Sequence, residues 1–241
     1  MKASARDPRA QSDDNHGIGR GANGVSGEPI LVQVFAKAPV PGEVKTRLIP
    51  ALGREGATEL HCRLVQHTLA TAAMARVGSV ELWTTAPRNE AFLQTCERLL
   101  GIPLLLQPEG DLGARMSAAM THGLARARAV LLVGSDVPTM CCDDLREARD
   151  ALANGSDAVL GPAEDGGYWL LGLSRHAAEL FHDLPWSTPA VLDATRDRLT
   201  ALRWRWRELP TRWDVDRLED LHRLACEPSL GRLVRDLPQT A

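Results

Sequence analysis

"AVLLVGSDVPTM", Ala129 to Met140, decides the fold. Its opening residues form a short apolar run rich in Val and Leu, the pattern of a strand buried on both faces. Gly134 and Ser135 end the run, Asp136 follows, and Pro138 forbids continuation of the strand. In an open α/β sheet, ligands bind outside the carboxyl ends of the strands. Asp136 is therefore read as a carboxylate held where a divalent cation and phosphate oxygens meet. The other role open to it is capping of the next element, for which Thr139 and Asp143 stand closer to "DDLREARDAL".

Four further runs share the character of the first: "ILVQVFA" (30–36), "SVELWTT" (79–85), "IPLLLQ" (102–107) and "DAVLGPA" (157–163). Amphipathic stretches separate them. Ala57, Leu60, Leu64, Leu69 and Ala72 keep roughly helical spacing, as do Phe92, Cys96 and Leu99, and Met116, Ala119, Met120 and Leu124. Strands alternating with helices predict an α/β sandwich with a mostly parallel sheet. "GGYWLLGLS" (166–174) follows the fifth run with too little chain for a crossover helix, so this pair is antiparallel or shares a bend. "RWRWREL" (203–209) predicts a half-exposed strand with Trp204 and Trp206 inward, and "DVDRLEDLHRLA" a turn entering a helix.

The chain has 241 residues, 44% of them hydrophobic, which is enough for one sizeable core. Residues 1–28 are polar and Gly-, Ser-, Asp- and Asn-rich, and are expected to form a disordered tail ahead of one domain over 29–241. Within the tail, "GIGRGANG" looks like a phosphate loop but follows no strand and opens no helix. A net charge of -3 and a charged fraction of 24% disfavour nucleic acid as partner. Five cysteines without a CxxC pair suit a reducing compartment. No apolar run approaches the ~20 residues that span a bilayer, and no secretory signal is evident. These features predict a cytoplasmic protein that does not engage membranes.

Polar residues cluster after each apolar run. "KAPVPGEVKTRL" holds Lys37, Lys45 and Arg47 in a loop stiffened by Pro and Gly, a composition that suits phosphate. In "QPEGDLGARM", Gly113 and Arg115 fall in the first turn of a helix, and an arginine there runs against the helix dipole unless an anion sits beside it. A surface role fits Arg115 nearly as well. "PAEDGGYWLLG" brings Glu164, Asp165 and Tyr168, with Gly166 and Gly167 allowing close backbone approach or simply a tight turn. In "LPTRWDVDRLEDL", Asp214 and Asp216 share a face if the segment is extended, so one or both complete the shell of a cation held by Asp136. Asp216 with Glu219 also forms a capping-box-like pair. Scattered histidines exclude a zinc signature, and "GSD" is not a hydrolase elbow.

"FAKAPVPGEVKTRL", "GDLGARM", "VGSDVP", "PAEDGGYWLLGL", "LPWSTPAVLDAT" and "DVDRLEDL" occur in order over residues 30–225, and the chain resembles the bacterial transferases called rSAM/selenodomain-associated transferase 1. That family is similar to the nucleotide-diphospho-sugar transferases of the GT-A fold, and distantly to guanylyltransferases. The resemblance implies a Rossmann-like three-layer α/β/α sandwich with a mostly parallel mixed sheet, and Mg or Mn at Asp136 and Asp216. It implies nucleotide phosphates on Lys37, Lys45 and Arg47, and the sugar or acceptor at Asp165, Gly166 and Gly167; the reading of the residues adds Gly113 and Arg115 on the phosphate side, Tyr168 on the acceptor side, and Lys45 and Asp165 as the catalytic candidates. The partners expected are a nucleotide or nucleotide sugar and a small-molecule acceptor, and precedent in similar folds suggests a homodimer. "GSDVP" carries one aspartate rather than a DxD pair, and the loop after the first run is not the glycine-rich signature of sugar nucleotidylyltransferases. Three functions stay open. Glycosyl transfer is favoured by the family, with Asp165 as base; nucleotidyl transfer is favoured by the three cations; the third is a nucleotide-binding module without turnover.

Overall fold

The computed structural model describes residues 28–85 and 91–237. The expected tail over 1–27, with its glycine-rich stretch, lies outside the described residues. Glu28, assigned to the tail, is instead the first residue of β1 (Glu28–Ala36), because it pairs with Ala127 of β4 (Ala127–Gly134).

Among the described residues the sheet has seven strands, in the order β3-β2-β1-β4-β6-β5-β7. The others are β2 (Ser79–Thr84), β3 (Leu104–Leu106), β5 (Ala158–Pro162), β6 (Tyr168–Leu173) and β7 (Trp206–Glu208). β6 lies antiparallel between β4 and β5, and every other pairing is parallel. The short link between β5 and β6 thus closes an antiparallel pair, and the sheet is mixed but mostly parallel, as expected.

Alternation along β1 separates the two cores. Ile30, Val32, Val34 and Ala36 pack with Val65, Leu69 and Ala72 of α1 (Ile49–Ala75), Leu93 and Cys96 of α2 (Ala91–Leu100), and Leu145, Ala148 and Leu152 of α4 (Cys142–Ala153). Leu31 and Phe35 face the opposite side, against Met116, Ala119 and Met120 of α3 (Leu112–Leu124) and Leu192 and Leu199 of α5 (Val191–Ala201). The result is one α/β/α sandwich. A third cluster joins Leu48, Leu52, Leu60 and Leu64 at the start of α1 to Trp213, Val215 and Leu224, the last on α6 (Leu218–Cys226).

Several local readings need correction. Leu99, placed on the inner face of α2 by its spacing, is exposed, because α2 buries only Leu93 and Cys96. Trp204 and Trp206 both face the second core, as expected, Trp204 buried and Trp206 half-buried, but the edge strand β7 is shorter than expected and begins only at Trp206. Neither Thr139 nor Asp143 caps α4: the Asp144 carboxylate accepts the Cys141 N–H at 2.7 Å. At α6 the cap is Asp220, which accepts the N–H groups of Asp216 at 3.0 Å and Arg217 at 2.7 Å, so Asp216 is free for other partners. Among the described residues no helix is long and apolar enough to cross a membrane.

Candidate functional site

Six strands point one way and β6 begins where they end, so the loops after β1, β4, β5 and β7 and the first residue of β6 converge at one edge of the sheet. A cavity of about 680 Å³ opens there. Asp136, Asp165, Gly167, Tyr168, Asp214, Asp216 and Arg47 line it, with an apolar wall from Phe35, Leu112, Met116 and Trp186. A second cleft, of about 640 Å³, lies at the opposite end of the strands beside Gly78 and Ala127 and holds none of the candidate site residues.

Lys45 ties the cavity floor together. Its Nζ lies 2.8 Å from Asp136 Oδ1 and 3.6 Å from Asp216 Oδ1, and donates to the Val215 carbonyl at 2.7 Å. The side chain is 3% exposed, so all three ammonium donors face protein acceptors. Arg47 takes the other oxygen of Asp216 at 2.7 Å. The Val215 N–H donates to the Asp136 carbonyl at 3.0 Å, so the loops after β1, β4 and β7 are joined at this point. Burial works against a charged Asp136, but Lys45 beside it, with His61 and Lys37 adding to its effect, holds the carboxyl below the usual carboxylate range. Asp136 Oδ1 is buried while the side chain as a whole is 46% exposed, so its second oxygen faces the cavity.

Asp214 differs. Burial, with the negative charges of Asp165 and Asp216 nearby, pushes its carboxyl up to about 6 against the opposing pull of Lys45. Two residues before Asp216 in an extended stretch, it shares the cavity face, as the DxD spacing implies. Asp165 Oδ1 accepts the Gly167 N–H at 2.8 Å, which fixes the turn and leaves Oδ2 available. Burial pushes the Tyr168 phenol far above its ordinary range, so this hydroxyl stays protonated and offers no base. Glu164 turns away and pairs with Arg223 of α6 at 2.8 Å.

The structure brings Asp136, Asp216, Arg47, Asp165, Gly167 and Tyr168 into one cavity and separates others from it. Lys37 is exposed at the end of β1, near enough for its charge to act on Asp136, but it does not line the cavity. Arg115 donates to the Gly110 carbonyl at 2.9 Å, across the N-terminal turn of α3. Gly113 is a packing residue: a Cβ there would lie 2.3 Å from the Phe181 carbonyl oxygen and 2.4 Å from Trp186 Nε1. It seats the indole of the cavity wall. Gly166, at φ 86° with Pro189 2.2 Å from where a Cβ would be, lets the β5–β6 turn pack on the loop before α5. Trp186 escaped the sequence reading, although "LPWSTP", an aromatic between prolines, signals a stiffened loop.

Among the described residues, no three His, Cys, Asp or Glu side chains stand close enough to hold a metal ion by themselves. The donors present are nonetheless hard carboxylate oxygens, chiefly Asp136 Oδ2. That set fits Mg or Mn when phosphate oxygens supply much of the shell, and does not make a cage on its own.

No curated protein matches the sequence. Among solved structures, a Desulfovibrio desulfuricans G20 protein described as a "putative nucleotide-diphospho-sugar transferase" is 28% identical, with 88% of this chain and 99% of that chain covered and a TM-score of 0.75. Glucosyl-3-phosphoglycerate synthase from Mycobacterium tuberculosis, in complex with Mn2+, uridine diphosphate and glucosyl-3-phosphoglycerate, is 14% identical over 88% of this chain and 78% of that one, with a TM-score of 0.50. A cytidylyltransferase from Leptospira borgpetersenii is 14% identical over 80% and 83%, with a TM-score of 0.53. The last two likenesses are of fold alone; the Desulfovibrio structure bears out the expected GT-A-like α/β sandwich of a nucleotide-diphospho-sugar transferase. A family model matches residues 68–188, half of the chain and the part that contains β4, Asp136, Asp165 and Trp186. The chain belongs to the bacterial family described as "Uncharacterized protein conserved in bacteria (DUF2064)".

Proposed function

We propose that this protein is a transferase that takes a sugar from a nucleotide-activated donor and passes it to an uncharged hydroxyl on a small-molecule acceptor. One observation carries the choice of glycosyl over nucleotidyl transfer. Two arginines line the cavity, Arg47 and Arg217, in the segments that carry Lys45 and Asp216, whereas the lining residues Ala163, Asp165, Gly167, Tyr168, Trp186, Ser187, Thr188 and Pro189 include a carboxylate and no lysine or arginine. A phosphate acceptor needs cations there, and a hydroxyl needs a base. Of the three cations that favoured nucleotidyl transfer, only Arg47 lines the cavity, while Lys45 is held by Asp136, Asp216 and the Val215 carbonyl.

In this reading Arg47 and the Asp136 end of the cavity receive the diphosphate. The wall of Phe35, Leu112 and Met116 covers the flat apolar part of the donor. Asp165 Oδ2 accepts the proton of the acceptor hydroxyl, with Tyr168 and Trp186 packing the acceptor against it. Asp136 Oδ2 would hold a divalent cation, whose chemistry when bound is to offset negative charge on the departing diphosphate. Catalysis is then positioning plus electrostatics.

The test is a thermal-shift screen of the purified protein with Mg or Mn, against nucleotide sugars and nucleoside triphosphates. A ligand at a hundred times its Kd adds ~2.7 kcal/mol of stability. Stabilisation by a nucleotide sugar and its nucleoside diphosphate is expected. A shift with triphosphates alone would restore nucleotidyl transfer, and binding of a nucleotide sugar with no transfer to any acceptor would favour the binding module.

A further inference from the structure

Lys45 departs furthest from its sequence-based role. Its backbone is left-handed, φ 47° and ψ 41°, a conformation that residues with a Cβ rarely adopt. That turn aims the side chain inward instead of out toward a phosphate. Asp136 Oδ1 and Asp216 Oδ1 then face one ammonium, and Asp216 Oδ2 faces the Arg47 guanidinium. Three of the four oxygens on this aspartate pair are thus already opposite a protein cation, which leaves Asp136 Oδ2.

We propose that Lys45 is a built-in counter-ion that makes cation binding depend on the nucleotide, so that Mg or Mn enters with the diphosphate and not before it. The inference rests on the nucleotide reading of the cavity. A divalent ion approaching Asp136 alone meets one free oxygen of the Asp136–Asp216 pair and two fixed positive charges, and Asp165 and Asp214, though on the same cavity, do not stand close enough to complete a cluster of three ligands with it; like charges a few ångströms apart repel strongly in a partly dry site. A bound diphosphate changes both sides of that balance. Its oxygens complete a shell that one or two carboxylates cannot fill, and its charge outweighs that of Lys45 and Arg47. Lys45 also holds Asp136 and Asp216 in place while no cation is present, where two unpaired carboxylates would otherwise repel each other. It is a positioning residue in this scheme.

The experiment titrates Mn2+ into the full chain and follows the free-ion signal by electron paramagnetic resonance. It is run without nucleotide and with UDP, GDP, ADP or CDP, for wild type, Lys45→Met and Arg47→Gln. Wild type is expected to bind Mn2+ measurably only with one of the diphosphates. Lys45→Met is expected to bind Mn2+ alone at least about tenfold more tightly than wild type, because one neighbouring positive charge is gone. Arg47→Gln, at a site that is 64% exposed and tolerant of change, should move the same way by less. Tm with and without Mn2+ provides a second readout: the ion should stabilise Lys45→Met and leave wild type unchanged. Equal Mn2+ affinity in wild type and both variants, without nucleotide, overturns the counter-ion role. If no diphosphate raises Mn2+ affinity, the nucleotide reading fails separately, while the comparison of wild type with the two variants still decides whether Lys45 excludes the ion.

Discussion

At the scale of single residues, the carboxylates of the cavity divide by their partners. Asp136 and Asp216 face Lys45, with Arg47 also on Asp216, whereas Asp165 has one oxygen on its own turn and Asp214 forms no ion pair among the described residues and feels Lys45 only through its charge. The first pair suits a structural and phosphate-side role, and the second suits work on a neutral acceptor. Asp165→Asn keeps the Gly167 contact through the amide oxygen and removes the base. Turnover of a nucleotide sugar should fall about 10²–10⁴-fold, while the Kd for the donor, measured by calorimetry, stays within a factor of about two of wild type. Loss of donor affinity in step with turnover would mean that Asp165 binds the donor. Asp136 was legible from sequence as a residue of the cavity, because a carboxylate that ends a buried run stands at the carboxyl edge of the sheet. Lys45 was legible as a residue of the site but not in its orientation: its partners are 91 and 171 positions away, and only the left-handed backbone at 45 turns it inward.

At the scale of elements, α1 organises the site from behind. His61 bonds the Lys37 carbonyl at 3.0 Å and His67 the Pro138 carbonyl at 2.9 Å, so one helix holds the loops after β1 and β4. Burial depresses the pKa of both rings, His61 despite the attraction of Asp136 and His67 despite its bond to Pro138. The unfolded chain protonates these groups near the ordinary histidine value of 6.5, before the folded one does. Their contribution to stability is therefore complete above that pH and is lost as pH falls from there through the depressed folded values. His61→Gln should flatten the decline: between pH 7 and 5, wild type should lose stability more steeply than the variant, by up to ~1.4 kcal/mol per pH unit. Urea melts at several pH values measure it. Comparing the two proteins removes the opposing slope of Asp214, which binds its proton more readily when folded. Parallel slopes would show that His61 titrates alike in both states. The buried strands were legible as elements because apolar runs between turn residues have few other readings. The caps were not, since "DD" in the first turn of α4 and "DRLED" across the start of α6 each offer several carboxylates, and the chosen one depends on where the first turn starts.

At the scale of the molecule, the third apolar cluster links the end of the chain to its chemistry. Val215, fully buried there, carries the carbonyl that receives Lys45 and the N–H that reaches Asp136, and it stands between Asp214 and Asp216. Leu224 of α6 and Leu60 and Leu64 of α1 hold it from the side away from the cavity. The sequence signalled α6 but not this coupling, because the cluster joins residues near 50 to residues near 230 and no periodicity spans that distance. Leu224, also fully buried, lies outside the cavity lining, so its truncation reports on coupling rather than contact. Leu224→Ala should cost about 2–5 kcal/mol, as buried leucine truncations do, which in a domain of this size lowers Tm by roughly 2–4 °C per kcal/mol. The same variant should bind donor nucleotide more weakly at a temperature where it remains folded, because the 214–216 segment loses the packing that fixes it opposite Asp136. A large loss of stability with unchanged nucleotide affinity would show that Lys45 and the Asp136 backbone hold that segment unaided, and that α6 stabilises the fold without setting the site.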